Sequence, residues 1–352
     1  VQVLKRAHQE LFRRAPDECF RTFDDLAGHC RAEMGRALDR WHPPRAIKPR
    51  GGGRLTLEVN GDGEFGLNDW SFGQVCQLAK VGKETVNRLA PATAAQVLTE
   101  TLPGGNRPLQ VFTDGPLVRS VHGVGYTRLF NADLRDAVRE VAPDFTPPQE
   151  AGSGGTGLNC GEQDLFAFLI DPAGWTEIDG EAFAPGFFVW NSEVGRRSVG
   201  VQTFWFQAVC GNHIVWDAVE VVEVVRKHTA GVGEALTEVR GAVEALVRTR
   251  DARRDGFVKA VRKAMETRIG EDTEEAEKVL AKAGIGKLLG SKALEMARQK
   301  GRFTVFAVVD ALTRLAGELK NAGERTEADV KAARLLDLVV PQRPSPKAAL
   351  AA

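Results

Sequence analysis

A long stretch of strand pattern, from Leu165 to Val225, limits the folds open to this chain more than any other feature. It contains the segments LFAFLI, FFVWN, SVGVQTFWFQAVC and HIVWDAVEVVEVV, which are dense in aromatic and β-branched residues. Such residues favour strands. The stretch therefore predicts a mainly antiparallel sheet.

Helical patterns lie on both sides of this stretch. Residues 1–42 carry apolar residues at three- and four-residue spacing, and Leu236, Val239, Val243 and Leu246 form one apolar stripe. We predict an α+β fold, in which a mainly antiparallel sheet flanked by helices precedes an all-helical C-terminal region. The predicted units are an N-terminal helical segment (1–42), a linker (43–53), an α+β subdomain (54–145), a β-rich core (146–230), a helical region (231–340) and a disordered tail (341–352).

Glycine, proline and asparagine mark the predicted turns. NGDG, within RLTLEVNGDGEFGL, predicts a hairpin, and TDGP predicts a turn between two later strands. Arg196-Arg197 fall at a predicted hairpin tip, and Asn212-His213 at the turn between the last two strands. HPPRAIKPRGGG is predicted to hold no regular element, and PDFTPPQEAGSGGTG (143–157) is a candidate mobile loop.

The overall charge gives no indication of a nucleic-acid or membrane partner. Among 352 residues, Lys+Arg and Asp+Glu are equal at 47 each, so such a partner must be inferred from local charge. The 5 cysteines are odd in number and scattered, and no apolar run approaches the ~18 residues of a membrane span. We expect reduced thiols, a cytoplasmic location and no membrane partner.

Motifs for the common catalytic chemistries are missing from the sequence. GSGGTG and GIGKLLGSK lack the order of glycine, lysine and hydroxyl residues that a phosphate-binding loop needs. The 6 histidines are dispersed, without HExxH or paired CxxC spacing, and there is no GxSxG. We predict no enzyme activity, no cofactor and no metal site.

One acidic segment keeps an enzymatic alternative open. Between Glu162 and Glu181 there are six acids and no lysine or arginine. Carboxylates are the ligands that a Mg²⁺-dependent nuclease gathers, and Glu162, Asp164 and Asp171 are the candidates. The competing interpretation places these acids on the solvent face and turns of a strand pair, and we favour it.

Positive charge collects in two places. Arg248–Arg268 contains eight basic residues and three acids, which is compatible with either a binding face or a solvated helix face. In the sheet region, cations lie next to aromatic strands, a combination that single-stranded nucleic acid requires. The predicted phosphate contacts are Arg119, Arg128, Arg196, Arg197, Arg226 and Lys227, and the predicted stacking groups are Tyr126 and Trp205. A core position for Trp205 stays open, because both faces of its strand mix polar and aromatic residues.

Several motifs between Gly66 and Leu246 resemble one known family. The segment FFVWNSEVGRRSVGVQTFWFQAVCGNHIVWD and the following RKHTAGVGEALTEVR resemble the phage/plasmid-like proteins grouped as domain-of-unknown-function family 932. LNDWSFGQVCQLAKV and VRSVHGVGYTRLFNADLRDAV are also similar, the latter through Arg119, Tyr126, Arg128, Leu129 and Asn131. The resemblance implies a role in replication, recombination or conjugation. The order of sheet and helices is similar to that of single-strand annealing proteins of the RecT and Erf kind.

The leading hypothesis is a non-enzymatic protein that binds or anneals single-stranded nucleic acid, with DNA preferred and RNA open. We expect a homo-oligomer that needs no cofactor, because base pairing itself drives annealing. The alternatives are the metal-dependent nuclease and a structural protein whose helical C-terminal region docks a partner.

Overall fold

The computed structural model describes residues 16–147, 157–207, 212–214, 224–299, 301, 303–318, 331–332 and 334–339. Within these ranges the chain forms two sheets and ten α-helices, and most of the helices that follow the second sheet pack together. The predicted α+β class is therefore confirmed. The predicted disordered tail (341–352), residues 1–15 of the N-terminal helical segment and residues 148–156 of the candidate loop lie outside the described residues.

The first sheet has six described strands in the order β1-β5-β6-β4-β3-β2. Its strands are β1 Ala37–His42, β2 Ile47–Gly51, β3 Leu55–Val59, β4 Gly63–Leu67, β5 Leu109–Asp114 and β6 Leu117–Gly123. The NGDG hairpin joins β3 to β4, and Gly61 and Gly63 there have positive φ angles of 90° and 118° that glycine tolerates. The TDGP turn joins β5 to β6, as predicted.

Three helices cover one face of this sheet, namely α2 Asp69–Leu78, α3 Lys83–Val86 and α4 Pro91–Thr101. Asn68 caps α2, because its side-chain oxygen accepts a hydrogen bond from Ser71 N at 2.8 Å. Leu57, Val75 and Leu98 are buried in the core between these helices and the strands.

The second sheet has β10 near its centre, paired antiparallel with both β8 and β11. Its described strands are β7 Leu158–Cys160, β8 Leu165–Ile170, β9 Thr176–Ile178, β10 Glu181–Asn191, β11 Val199–Gln207, β12 Asn212–Ile214 and β13 Val224–Arg226. All six residues of β8 are buried, which explains its unbroken apolar sequence.

Helices from before and after the second sheet pack against it in one core. These are α1 Phe23–Arg36, α5 Asn131–Val141 and α6 Val232–Arg248. Thr22 and Asp25 form a capping box that begins α1. The stripe predicted on α6 is confirmed, since Val239, Val243 and Leu246 are buried in this core.

The remaining helices form a further core with the second sheet. They are α7 Arg250–Glu266, α8 Thr273–Lys282, α9 Lys287–Gln299 and α10 Val305–Glu318. Phe183 and Trp205 of the sheet are buried among their apolar residues. Among the residues that the structure describes, no helix has both the length and the apolar composition needed to span a membrane.

Three local predictions are corrected. The predicted N-terminal helical segment stops at Arg36, and residues 37–42 form β1 because they pair along β5. The predicted linker 43–53 contains a 3₁₀ turn and β2, where proline is tolerated because β2 is an edge strand. Asn212-His213 begin β12 rather than forming a turn.

Candidate functional site

Polar side chains from both sheets meet at the boundary between them. Arg119 lies on β6, and Tyr126 and Arg128 lie in the segment that follows it. Asn191 ends β10, and Glu193 lies in the turn between β10 and β11. We call this group the polar junction; its members are Arg119, Tyr126, Arg128, Asn131, Asn191, Ser192 and Glu193. The fold thus brings together residues from separate motifs of the family resemblance.

Arg119 is buried within the polar junction, and acids balance its charge. Its Nη1 lies 3.3 Å from Glu193 Oε2 and 3.6 Å from Glu33 Oε1, and its Nη2 donates to the Glu162 carbonyl oxygen at 2.9 Å. Burial raises the pKa of Glu193, and the charge of Arg119 opposes that rise. Contact between Arg119 and a phosphate would have to break these buried ion pairs.

Arg128 is fixed by contacts on all sides of its guanidinium. Nε and Nη2 donate to the two carboxylate oxygens of Asp39 at 2.9 and 2.7 Å, and Nη1 donates to the Glu193 carbonyl oxygen. The guanidinium carbon lies 3.5 Å from the centroid of the Phe112 ring. Only 2% of the side chain is exposed. The observed contacts of Arg128 are therefore internal to the fold.

Tyr126 lies between two histidine rings. Its ring centroid is 3.7 Å from that of His122 and 5.4 Å from that of His228, and its hydroxyl donates to the Glu193 carbonyl oxygen at 2.9 Å. Burial raises the pKa of Tyr126. Burial, aided by the nearby charge of Arg128, lowers the pKa of His122 to about 3 and that of His228 to about 4. Both histidines are neutral at neutral pH, and base stacking on Tyr126 would have to displace one of them.

Two buried asparagines connect α5 to the end of β10. The Asn191 side-chain nitrogen donates to the Leu129 carbonyl oxygen at 2.8 Å and to Asn131 Oδ1 at 2.9 Å. The backbone nitrogen of Asn131 in turn donates to Glu193 Oε1 at 2.8 Å. These hydrogen bonds set the position of the β10–β11 turn relative to α5.

The two arginines of the β10–β11 turn have different surroundings. Arg197 Nε donates to Asp164 Oδ2 at 2.7 Å, and the Arg197 side chain is buried. Arg196 Nη1 is 3.9 Å from the same oxygen, and Arg196 is exposed. The Arg196 backbone nitrogen donates to Ser192 Oγ at 2.9 Å, which helps to shape the turn. Arg196 therefore offers the more accessible charge.

Trp205 is a core residue. Only 1% of it is exposed, and its ring is stacked on Phe257 of α7 with centroids 4.1 Å apart and planes 4° from parallel. Stacking of a base on Trp205 would require the ring to leave this contact.

The cations at the end of β13 lie close to the β10–β11 turn. β13 runs antiparallel to β11, with Arg226 opposite Val199. Continuing this register places Lys227 beside Ser198, two residues from Arg196. Lys227 is exposed.

The acids of the alternative nuclease site do not come together. Asp164 is buried against Arg197, whereas Asp171 is buried with one carboxylate oxygen 3.3 Å from Arg250 of α7. Glu162 is exposed. In the ranges that the structure describes, these three residues form no group of potential metal ligands.

In the basic segment Arg248–Arg268, some of the described cations form ion pairs and others face solvent. Arg250 and Arg254 form ion pairs with acids. Lys259, Arg262 and Lys263 are exposed, and their spacing places them on one face of α7. These three cations point outward, as expected for a solvated helix face, which is one of the two interpretations of this segment.

A cluster of potential metal ligands was missed by the sequence analysis. It consists of His29 and Glu33 on α1 and Cys160 at the end of β7, whose ligand atoms all lie within 4.8 Å of one another. We call it the His–Glu–Cys cluster. The i,i+4 spacing of His29 and Glu33 suggests that they share a helix face. No sequence signal connects that pair with Cys160, which is 127 residues from Glu33.

The protonation states in this cluster depend on its internal contacts. Hydrogen bonds with Cys160 and Glu33 raise the pKa of His29 to about 10. Burial alone would raise the pKa of Glu33, but the hydrogen bond from His29 and the charge of Arg119 lower it. A hydrogen bond with Cys30 and burial raise the pKa of Cys160.

Comparison of the chain with family models, with curated proteins and with solved structures found no match.

Proposed function

We propose that the chain binds single-stranded nucleic acid where the β10–β11 turn meets the end of β13. The register of β13 with β11 carries this proposal, because it sets Lys227, the residue after Arg226, beside the turn that holds Arg196. The Arg226 side chain lies outside the part of the chain that the structure describes. We call Arg196 and Lys227 the basic rim. Closely spaced cations bind successive phosphates and release their counterions, which supplies most of the affinity for nucleic acid.

The turn that carries Arg196 packs against the polar junction. Gly195 in the turn has a φ of 75°, and a Cβ added there would lie 2.7 Å from His122 Cε1 and 3.1 Å from Tyr126 Cε2. The turn therefore packs directly on the histidine–tyrosine stack. In this proposal Arg119, Arg128 and Arg197 position the rim rather than contact phosphate.

The ligand class follows from the chemistry of the rim. Phosphates are common to DNA and RNA, so the rim binds both, and the oligonucleotide assays below include each. Binding and annealing need no cofactor, because base pairing supplies the driving force and the protein only holds the strands extended.

We also propose that the binding unit is a homo-oligomer. β1 is an edge strand of the first sheet, and it exposes 55% of Leu38 and 47% of Trp41. Unpaired edges with exposed apolar residues are suited to pairing with another chain. Size-exclusion chromatography with light scattering tests this, and a monomeric mass at micromolar concentration would refute it.

Fluorescence anisotropy with labelled oligo-dT and oligo-U tests binding at the basic rim. Affinity is measured between about 50 and 200 mM salt, because each phosphate contact on a single strand contributes about 0.7 to the slope of log affinity against log salt. The double variant Arg196→Gln/Lys227→Gln should weaken binding and reduce that slope by about 1.4.

A matched variant removes the same charge elsewhere. Lys259→Gln/Arg262→Gln lies on the outward face of α7 and should leave both affinity and slope unchanged. Equal losses in the two double variants would place the phosphate contacts outside the rim. Binding that is absent, or that ignores salt, would refute nucleic-acid binding altogether.

A further inference from the structure

The His–Glu–Cys cluster has the ligand types of a zinc site. Imidazole nitrogen, carboxylate oxygen and thiolate sulfur all bind Zn²⁺, and three protein ligands with an open fourth position are a common arrangement. His29 Nε2 and Cys160 Sγ both approach the same oxygen of Glu33, Oε2, at 3.5 and 3.8 Å. The three ligand atoms therefore lie together, all within 4.8 Å of one another.

Two of the three separations between these atoms match a tetrahedral ion. Zinc bonds of ~2.05 Å to nitrogen, ~2.1 Å to oxygen and ~2.3 Å to sulfur, at tetrahedral angles, separate nitrogen from oxygen by ~3.4 Å and sulfur from oxygen by ~3.6 Å. The observed separations of 3.5 and 3.8 Å differ from these by about 0.2 Å or less. The third pair, the His29 nitrogen and Cys160 Sγ, lies within 4.8 Å, and a tetrahedral ion would bring these two atoms to ~3.6 Å.

Neighbouring groups orient each ligand. Arg119 Nη1 is 3.6 Å from Glu33 Oε1, the oxygen that faces away from the cluster. The Asn131 side-chain nitrogen donates to Cys160 Sγ at 3.6 Å, a hydrogen bond that a metal-bound thiolate could also accept. The Phe20 ring lies 4.8 Å from the His29 ring and limits its rotation.

Charge and access are also suitable. Zn²⁺ bound by one carboxylate, one thiolate and a neutral imidazole carries no net charge, which removes most of the cost of burying the ion. Glu33 and Cys160 are buried, but 34% of the His29 side chain is exposed. Solvent can therefore reach the ion from the side of His29.

We propose that His29, Glu33 and Cys160 bind one Zn²⁺, with a water molecule in the fourth position. The inference stands apart from the nucleic-acid proposal, because the basic rim contributes no ligand to it. Its functional consequence is a Lewis acid and an activatable water between α1 and the second sheet.

Metal binding by the full chain tests the proposal directly. The purified protein is stripped with a chelator and titrated with Zn²⁺ against a chromogenic competitor, and with Co²⁺ as a spectroscopic substitute. We expect one ion per chain, a tetrahedral Co²⁺ spectrum and a sulfur-to-cobalt charge-transfer band. A rise in Tm on adding Zn²⁺ gives an independent readout.

Variants of the ligands should lose this binding. His29→Gln should weaken Zn²⁺ binding by more than ~100-fold, the cost that can follow from losing a residue that only orients a metal ligand. Because His29 is partly exposed, this variant should still fold. Cys160→Ser should abolish the charge-transfer band, with circular dichroism confirming the fold. His42→Gln is the matched control, because His42 also lies against a carboxylate, 2.6 Å from Asp62, but outside the cluster. It should bind Zn²⁺ as the wild type does.

Three results would overturn the proposal. The first is a stoichiometry well below one ion per chain. The second is a cobalt spectrum without the sulfur band. The third is loss of Zn²⁺ binding in Cys30→Ala. Cys30 contacts Cys160, so such a loss would mean that Cys30, and not a water molecule, is the fourth ligand.

Discussion

His228 couples the stability of the polar junction to pH. Its ring is packed beside Tyr126, with Nδ1 3.2 Å from the Thr127 carbonyl oxygen, and burial together with the charge of Arg128 lowers its pKa to about 4. A histidine in the unfolded chain has a pKa near ~6.5. Above that pH neither state binds a proton. As the pH falls from about 6.5 towards 4, the unfolded state is protonated first, so stability falls across this window.

His228→Gln should remove that part of the pH dependence. We expect urea unfolding to show that the wild type loses about 2 kcal/mol more than this variant between pH 7.5 and pH 5. His122→Gln should reduce the loss further when combined with it, because the pKa of His122 is lowered to about 3. An equal loss in the wild type and His228→Gln would contradict the prediction.

Arg128 should contribute to stability far more than a surface arginine with the same partner type. Arg128→Met removes both donors of Asp39 described above and one of the two donors to the Glu193 carbonyl oxygen, and we expect a loss of about 3 kcal/mol in the free energy of unfolding. Arg31 provides the control, because it also binds both oxygens of an aspartate, Asp136, but 57% of its side chain is exposed. Arg31→Met should cost less than about 1 kcal/mol by chemical denaturation. Similar losses would show that Arg128 is not structural.

At the scale of elements, the β10–β11 turn depends on glycine for two reasons. Gly195 has a φ of 75°, and a Cβ there would contact the His122 ring at 2.7 Å. Gly115, in the β5–β6 turn, also has a positive φ, 52°, but a Cβ there would meet nothing within 4 Å. Gly115→Ala should therefore show only the backbone cost, about 1 kcal/mol.

Gly195→Ala should show the backbone cost together with the steric one, about 3 kcal/mol in total. Thermal and urea unfolding of both variants measure the difference. Equal destabilisation would mean that the turn does not pack on the histidine–tyrosine stack.

Elements with strong local signals could be predicted from the sequence, and those set by distant partners could not. The NGDG and TDGP turns and the stripe on α6 follow from local periodicity and from glycine. β1 was predicted as helix because DRW continues the apolar spacing of α1, yet pairing with β5 converts it to strand. Residue spacing does not carry information about that partner, which begins at Leu109.

At the scale of the whole molecule, the candidate sites could also be predicted only in part, because distant partners set their contacts. The sequence segment VRSVHGVGYTRLFNADLRDAV contains Arg119, Tyr126, Arg128 and Asn131, and the fold brings them together around Glu193. Whether each charge faces solvent or an acid depends on residues far along the chain, such as Asp39 for Arg128. The His–Glu–Cys cluster could not be predicted for the same reason, because its third member comes from a strand 127 residues beyond Glu33.

The second sheet and the C-terminal helices share one core, which predicts that they unfold together. Trp205 of β11 is stacked on Phe257 of α7, and Phe183 of β10 lies edge-on to the same ring at 5.2 Å. Phe257→Ala removes a fully buried ring, so we expect a loss of about 4 kcal/mol. The urea transitions followed by tryptophan fluorescence and by circular dichroism should shift by the same amount.

Leu98→Ala supplies the comparison, because Leu98 is equally buried but belongs to the core of the first sheet. It should also destabilise the chain, by about 3 kcal/mol. The polar junction joins the two sheets through buried ion pairs. Leu98→Ala should therefore shift both the fluorescence transition and the circular-dichroism transition as well. If Phe257→Ala shifts the circular dichroism but leaves the fluorescence transition in place, the helices form a separate folding unit. If only Leu98→Ala separates the two transitions, the junction is too weak to couple the sheets.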